Sequence, residues 1–267
     1  MYYPMIVFSA IVPHSPLLNP TVGKEHLAKL ETTRQAMVVL EQELYASHPD
    51  TLAIFTPHGQ ATPHAFAIAL EAKYTGSLKD FGDFGTKIEC LADFMLIDHI
   101  QRSLRDKNIP VALQSGAELD YSVVVPLYYL AAHLQKYTIV PIASSLLDLK
   151  THLEFGRALQ EELAASNKRI AVIASADLAH RLRPEGTEGF SPLALDFDEK
   201  VRALLSSGKA EDALAFDPVM VKESGECGLR PIVMLLGTLE GMNFKTETLS
   251  YESPFGIGQL VANLKIG

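Results

Sequence analysis

"LAIFTPHG", residues 52–59, is an apolar run that stops at a proline and then delivers a histidine. Leu52 to Phe55 read as a short buried strand, closed by Thr56-Pro57 and followed at once by His58-Gly59. The chain repeats the device: "MIVFSAIVPHSP", residues 5–16, is a second apolar run that ends in Pro13-His14-Ser15-Pro16. A buried strand that runs straight into an imidazole places a titratable, metal-competent group at the rim of a sheet. Ligands of open α/β sheets bind beyond strand ends.

Outward from these two stretches, apolar runs alternate with helical spacing. Strands are expected at 5–12, 51–56, 65–71, 111–114, 137–144 and 169–175, with two more in the C-terminal "KTETLSYESPFGIGQLVANL". Helices are expected at 24–46, 90–108, 122–135 and 150–166, and over much of 194–240. The alternation predicts an α/β fold, a single domain over residues 1–267 with a mixed central β-sheet and helices on both faces. "RLRPEGTEGFSP", 181–192, is the one long irregular stretch and reads as a loop over a site.

Bulk composition narrows the function. The 267 residues are 48% hydrophobic and carry a net charge of −9 with no basic run, so nucleic acid is not an expected partner. Two cysteines, Cys90 and Cys227, make no disulfide framework and read as reduced thiols. The N-terminal stretch lacks a basic region, and no window approaches a membrane span. A soluble cytoplasmic protein with no membrane partner is the expectation.

The polar residues at strand ends are His14, His58, Ser175, Asp177 and His180. Asp120 and Tyr121 precede the helix at 122–135, and Glu226 and Cys227 precede an apolar helix. Each has a bland reading: Asp120 and Asp177 as turn or helix caps, Glu226 as a charge at a helix N-terminus. Taken together, two histidines and a carboxylate match the ligand set of non-haem Fe(II) sites, and a further histidine can move protons near neutral pH. His64 is a candidate pocket wall. His26, His48, His99, His133 and His152 receive no role.

"VPHSP", "TPHG", "LDYSVVVPL", "SADLAHRL", "GECGLRP" and "YESPFGIG" occur in that order along nearly the whole chain. Together they resemble the class III extradiol ring-cleavage dioxygenase superfamily, LigB-type. The nearest likeness is to the dioxygenase-like proteins associated with the AmmeMemoRadiSam group, with Memo proteins more distant. The resemblance implies His14 and His58 as iron ligands, Glu226 as the third ligand with Glu252 as a competing carboxylate, and His180 as the catalytic histidine. It implies Fe(II), with zinc or copper as alternatives, and a small aromatic substrate with O2. A homodimer is a family-level expectation. Asp120 and Asp177 are expected to orient the ligating imidazoles. One departure stands out: similar proteins read Leu-Asp-His-Gly where this chain reads Leu119-Asp120-Tyr121-Ser122. Tyr121 would take over the substrate-holding role. The rival reading is a Memo-like metal protein, redox or hydrolytic, with Cys227 as an added donor.

Overall fold

The structure is a computed structural model and describes residues 6–59, 61–116, 118–186 and 188–267. In chain order the strands are β1 (Ile6–Val12), β2 (Thr51–Thr56), β3 (Phe66–Ala69), β4 (Lys73–Leu78), β5 (Asp83–Ala92), β6 (Val111–Gln114), β7 (Thr138–Ala143), β8 (Ile170–Ser175), β9 (Phe244–Glu252) and β10 (Gln259–Ile266). The α-helices are α1 (Pro20–Gly23), α2 (Glu31–Ala46), α3 (Phe94–Asp106), α4 (Tyr121–Leu130), α5 (Leu149–Ala165), α6 (Leu193–Ser207), α7 (Pro218–Ser224) and α8 (Leu229–Thr238).

All ten strands of the described residues join one sheet in the order β4-β5-β7-β2-β8-β1-β10-β9, with β3 antiparallel on β7 and carrying β6. The central four, β7, β2, β8 and β1, are parallel. Every residue of β2 and β8 is buried. Strands covered on both faces need apolar side chains at every position, which is why they read as continuous runs. Both α4 and α8 pack on β2 and β8; α4 joins α2, whereas α8 joins α5, so the two pairs cover opposite faces. The α5–α8 crossing is backbone to backbone. A Cβ on Gly156 would lie 2.3 Å from the Met234 carbonyl oxygen, and one on Gly237 2.7 Å from that of Leu153.

Three expected helices differ in their bounds, and one hairpin is unexpected. The expected helix at 24–46 is a 3-10 segment, Lys24–Leu30, followed by α2; Lys24 at φ 44° and Leu30 at φ −112° interrupt the helical path. The expected helix at 90–108 begins only at Phe94, because Cys90 to Ala92 finish β5 and Asp93 caps the helix by accepting from Leu96 N at 3.3 Å. The β4–β5 hairpin was not foreseen: β5 is mostly solvent-exposed, and its polar residues carry no apolar alternation. The helix expected at 122–135 ends at Leu130. The strand expected from residue 5 is described from Ile6 onward.

Parallel pairing aligns the C-terminal ends of the central strands. Val12 pairs with Ser175, Thr56 with Ala143, and Phe55 with Ala174. The segments after these ends, with His14, His58 and Asp177–His180, therefore emerge along one sheet edge. No helix among the described residues is long and apolar enough to cross a membrane.

Candidate metal centre

His14 is buried, and two contacts fix it. Its backbone N–H donates to Asp177 Oδ1 at 3.0 Å, and its ring Nδ1 meets Ser175 Oγ at 2.9 Å. The Ser175 hydroxyl has one proton and gives it to the Ser122 carbonyl at 2.5 Å. The hydroxyl can then only accept from His14, so Nδ1 carries the ring hydrogen and Nε2 presents a bare lone pair. Burial pulls the His14 pKa down to about 4; the Asp177 carboxylate opposes this, and the His58 and His180 rings add to it. The ring is neutral, as a ligand must be.

His58 leaves β2 two residues after its end, and its backbone N–H donates to Thr56 Oγ1 at 3.2 Å. Its ring lies edge-on to His14, with centroids 5.1 Å apart. Burial again lowers its pKa, against Asp120 and Asp177.

The third corner is Cys227. Ligand atoms of His14, His58 and Cys227 all lie within 4.8 Å of one another. The thiol sulfur is 3.6 Å from His14 Nε2, 3.6 Å from His180 Nε2 and 3.7 Å from the Asp177 carbonyl. Burial foremost, with the Asp177 and Glu226 charges, pushes the thiol well above its usual range. Gly228 makes this placement possible: a Cβ there would sit 2.5 Å from the Asp177 carbonyl and 2.7 Å from Ala176 Cβ. With hydrogen at that position, the start of α8 presses directly against the turn that follows β8.

His180 stands beside the thiol. Its Nδ1 faces Glu188 Oε1 at 2.9 Å, which leaves Nε2 free to accept a proton. Glu188 belongs to the 181–192 stretch, whose described residues include a Leu182–Phe190 bridge; residue 187 of that stretch lies outside the described residues. The preceding Ala179 N–H donates to Asp198 Oδ1 at 2.8 Å, and Tyr251 donates to Asp198 Oδ2 at 2.6 Å. Tyr121 stacks on His58 with centroids 5.3 Å apart, and Phe81 meets Tyr121 edge-on at 5.1 Å. Burial raises the Tyr121 phenol above its usual range, so it stays a proton-bearing donor.

The structure thus brings together His14, His58, His180, Tyr121 and Asp177, and adds Cys227. The two carboxylates expected as third ligand stand apart from the three-donor group. Glu226 Oε2 accepts from Leu229 N at 2.6 Å and caps α8. Glu252 Oε1 accepts from Thr33 N at 2.8 Å and from its hydroxyl at 2.6 Å. Asp120 caps α4, accepting from Ser122 N at 2.9 Å and Ser122 Oγ at 2.5 Å. Of the pair expected to orient the imidazoles, Asp177 holds the His14 backbone, while the His14 ring is oriented by Ser175. The orienting roles of Ser175 and Glu188 were not read from sequence. His152 is fully buried and structural: Nδ1 meets the Asp148 carbonyl at 2.8 Å and Nε2 accepts from Ser145 N at 3.3 Å.

Residues 9–262 match the family model described as the catalytic LigB subunit of aromatic ring-opening dioxygenase, and the chain belongs to that family. Protein CA_C1420 of Clostridium acetobutylicum is 33% identical over 265 residues, covering 96% of this chain; the chain spans only 56% of that relative. A 2,3-dihydroxyphenylpropionate/2,3-dihydroxicinnamic acid 1,2-dioxygenase of Mycolicibacterium vanbaalenii is 26% identical over 82% of this chain and 71% of its own length. A MEMO1 family protein of Methanococcus maripaludis is 24% identical over 68% of this chain and 57% of its own. The fold matches the crystal structure of uncharacterized protein JW3007 from Escherichia coli K12, with TM-score 0.69 and 15% identity over 97% of this chain and 99% of that one.

The donor set fits a metal. It offers one imidazole with its lone pair locked inward, a second neutral imidazole and a thiol within reach. Such a mixture suits borderline-soft ions such as Fe(II), copper or zinc.

Proposed function

We propose that the protein is a metal-dependent oxidoreductase of the ring-opening dioxygenase family, acting with O2 on a small aromatic that bears adjacent oxygens. In this reading His14, His58 and Cys227 hold the metal. The observation that carries it is the convergence of those three donors within 4.8 Å, with His180 Nε2 3.6 Å from the sulfur. When bound, the metal would supply a Lewis-acidic, redox-active centre for substrate and O2.

The protein's own groups do the rest. The Cys227 thiol must lose its proton to ligate, and His180 Nε2 is positioned to take it. Glu188 steadies the imidazolium that results. Once that proton has passed to solvent, the neutral His180 would be placed to take a proton from a substrate hydroxyl. Tyr121 and Phe81 supply an aromatic edge beside His58 against which a substrate ring packs. The cleft behind His58 and Asp120 has a volume of about 40 Å3, room for a water-sized group, so the ring enters from the Tyr121 side.

A second reading keeps the metal and omits ring opening: a Memo-like redox protein. Two observations favour it, the thiol donor and the phenol of Tyr121. One experiment separates the two. Protein purified anaerobically and loaded with Fe(II) is assayed for bound metal and for oxygen uptake on a panel of catechols and aminophenols. Near-stoichiometric metal is expected in the wild type and in Glu226→Gln, and loss of metal in His14→Ala and Cys227→Ser. Substrate-dependent oxygen uptake, lost in His180→Gln with metal retained, supports the dioxygenase. Metal without uptake supports the second reading. Metal retained in Cys227→Ser and lost in Glu226→Gln removes the thiol-ligand assignment.

A further inference from the structure

A larger cavity opens on the other side of the 225–228 turn. It lies between α7, the start of α8 and the segment that links β7 to α5, and its volume is about 840 Å3. Pockets for small organic ligands are commonly 300–1,000 Å3, with apolar walls and a few polar groups. Leu146, Leu214, Phe216 and Val221 form apolar walls here. Leu146 is 70% exposed and Leu214 44%, so two large apolar side chains face the opening without protein cover.

Three cations, Arg230, Lys150 and Lys222, and two carboxylates, Asp148 and Glu226, line the cavity, which leaves its walls net positive. Arg230, the second residue of α8, lines the cavity, and its Nε is buried without a hydrogen-bond partner among the described residues. A buried guanidinium donor left unmatched costs free energy, and such groups usually mark a missing ligand or solvent. Lys150 and Lys222 line the same cavity. Its two carboxylates make local hydrogen bonds and also feel these cations, Glu226 the Arg230 charge and Asp148 that of Lys150. Asp148 Oδ1 accepts from Thr151 N at 2.8 Å and Thr151 Oγ1 at 2.7 Å, and Glu226 caps α8. The apolar walls therefore suit an apolar body, and the net positive lining with Arg230 at its edge suits one anionic head. Arginine receives a carboxylate through two parallel N–H bonds.

We infer that this cavity is a binding site for an amphipathic monocarboxylate, its carboxylate on Arg230 and its hydrocarbon against Leu146, Leu214, Phe216 and Val221. The site is separate from the metal donors and does not depend on the reading of them.

The test uses the full chain and a fluorescent acid, 11-(dansylamino)undecanoate, titrated with displacement by decanoate and by decanol. Saturable one-to-one binding is expected. Decanoate should displace at least tenfold better than decanol, because the alcohol lacks the charge. Arg230→Met should weaken binding at least tenfold, and Leu146→Asp, at an exposed position that tolerates change, should do the same. His14→Ala, which disables the metal cluster, should bind the acid as the wild type does. Equal displacement by decanol and decanoate, or unchanged binding in Leu146→Asp, would overturn the proposal. So would wild-type affinity in Arg230→Met. Should Arg230→Met fold poorly, the decanoate–decanol ratio and Leu146→Asp still decide.

Discussion

Ser175 governs His14 from behind. Its single hydroxyl proton goes to the Ser122 carbonyl, so the imidazole must donate Nδ1–H and aim Nε2 at the cluster. Groups that orient a ligating histidine typically contribute 10–100-fold in metal affinity. Ser175→Ala is accordingly expected to weaken metal binding by about that range with little change in fold, measured by competition with a chromophoric chelator. An affinity equal to wild type would mean that the ring is held by its packing alone. This residue-level logic was only partly legible beforehand. His14 and His58 announce themselves because each follows an apolar strand directly. Cys227 is less plain: a lone cysteine between Glu226 and Gly228 reads only as an added donor in the rival reading, and the glutamate before it resembles a ligand more closely. What distinguishes them is direction. Glu226 turns to the α8 amide and Cys227 to the histidines, and side-chain direction in a turn is not written in the order of residues.

At the scale of elements, glycines set how closely the parts meet. Gly228 lets α8 start against the Ala176–Asp177 turn, and Gly237 lets α8 cross α5 at backbone distance. The two substitutions should therefore separate function from stability. Gly237→Ala is expected to destabilise by about 1–3 kcal/mol, the usual cost of forcing a methyl into a filled core, seen as a lower urea midpoint with normal metal stoichiometry in the folded fraction. Gly228→Ala should in addition displace Cys227 and reduce bound metal. If both variants bind metal like wild type, the turn is more compliant than its contacts imply. The buried parallel strands were legible because full burial demands unbroken apolar runs. The β4–β5 hairpin was not, since a largely exposed strand leaves no hydrophobic period to read.

Over the whole molecule, Asp198 ties three distant parts together: α6, which carries it, the Ala179 amide beside His180, and Tyr251 on β9. Burial raises its pKa from 3.8 to about 6, against the Tyr251 and Ala179 hydrogen bonds. An acid whose folded pKa is raised binds its proton more tightly when folded. The associated stability is fully present below the unfolded value and is lost as pH rises through the folded one. Asp198→Asn should remove this dependence. Relative to wild type, the variant should gain stability between about pH 4 and pH 7, by on the order of 3 kcal/mol at most, read from denaturant unfolding at both ends. A difference that stays constant with pH would show that Asp198 titrates normally.

The place of β1 in the sheet has a consequence for how the chain is made. It lies between β8 and β10, and its register with β8 joins residues more than 160 positions apart, as the His14–Ser175 contact measures. At ordinary elongation rates of roughly 5–20 residues per second, β1 leaves the ribosome about ten to thirty seconds before its partner exists. Through that interval an almost wholly apolar seven-residue strand has no neighbour on either side. The segment that carries His14, the first of the proposed metal donors, is thus the one a nascent-chain chaperone has most reason to hold, and the proposed three-donor site cannot assemble until translation has passed Cys227.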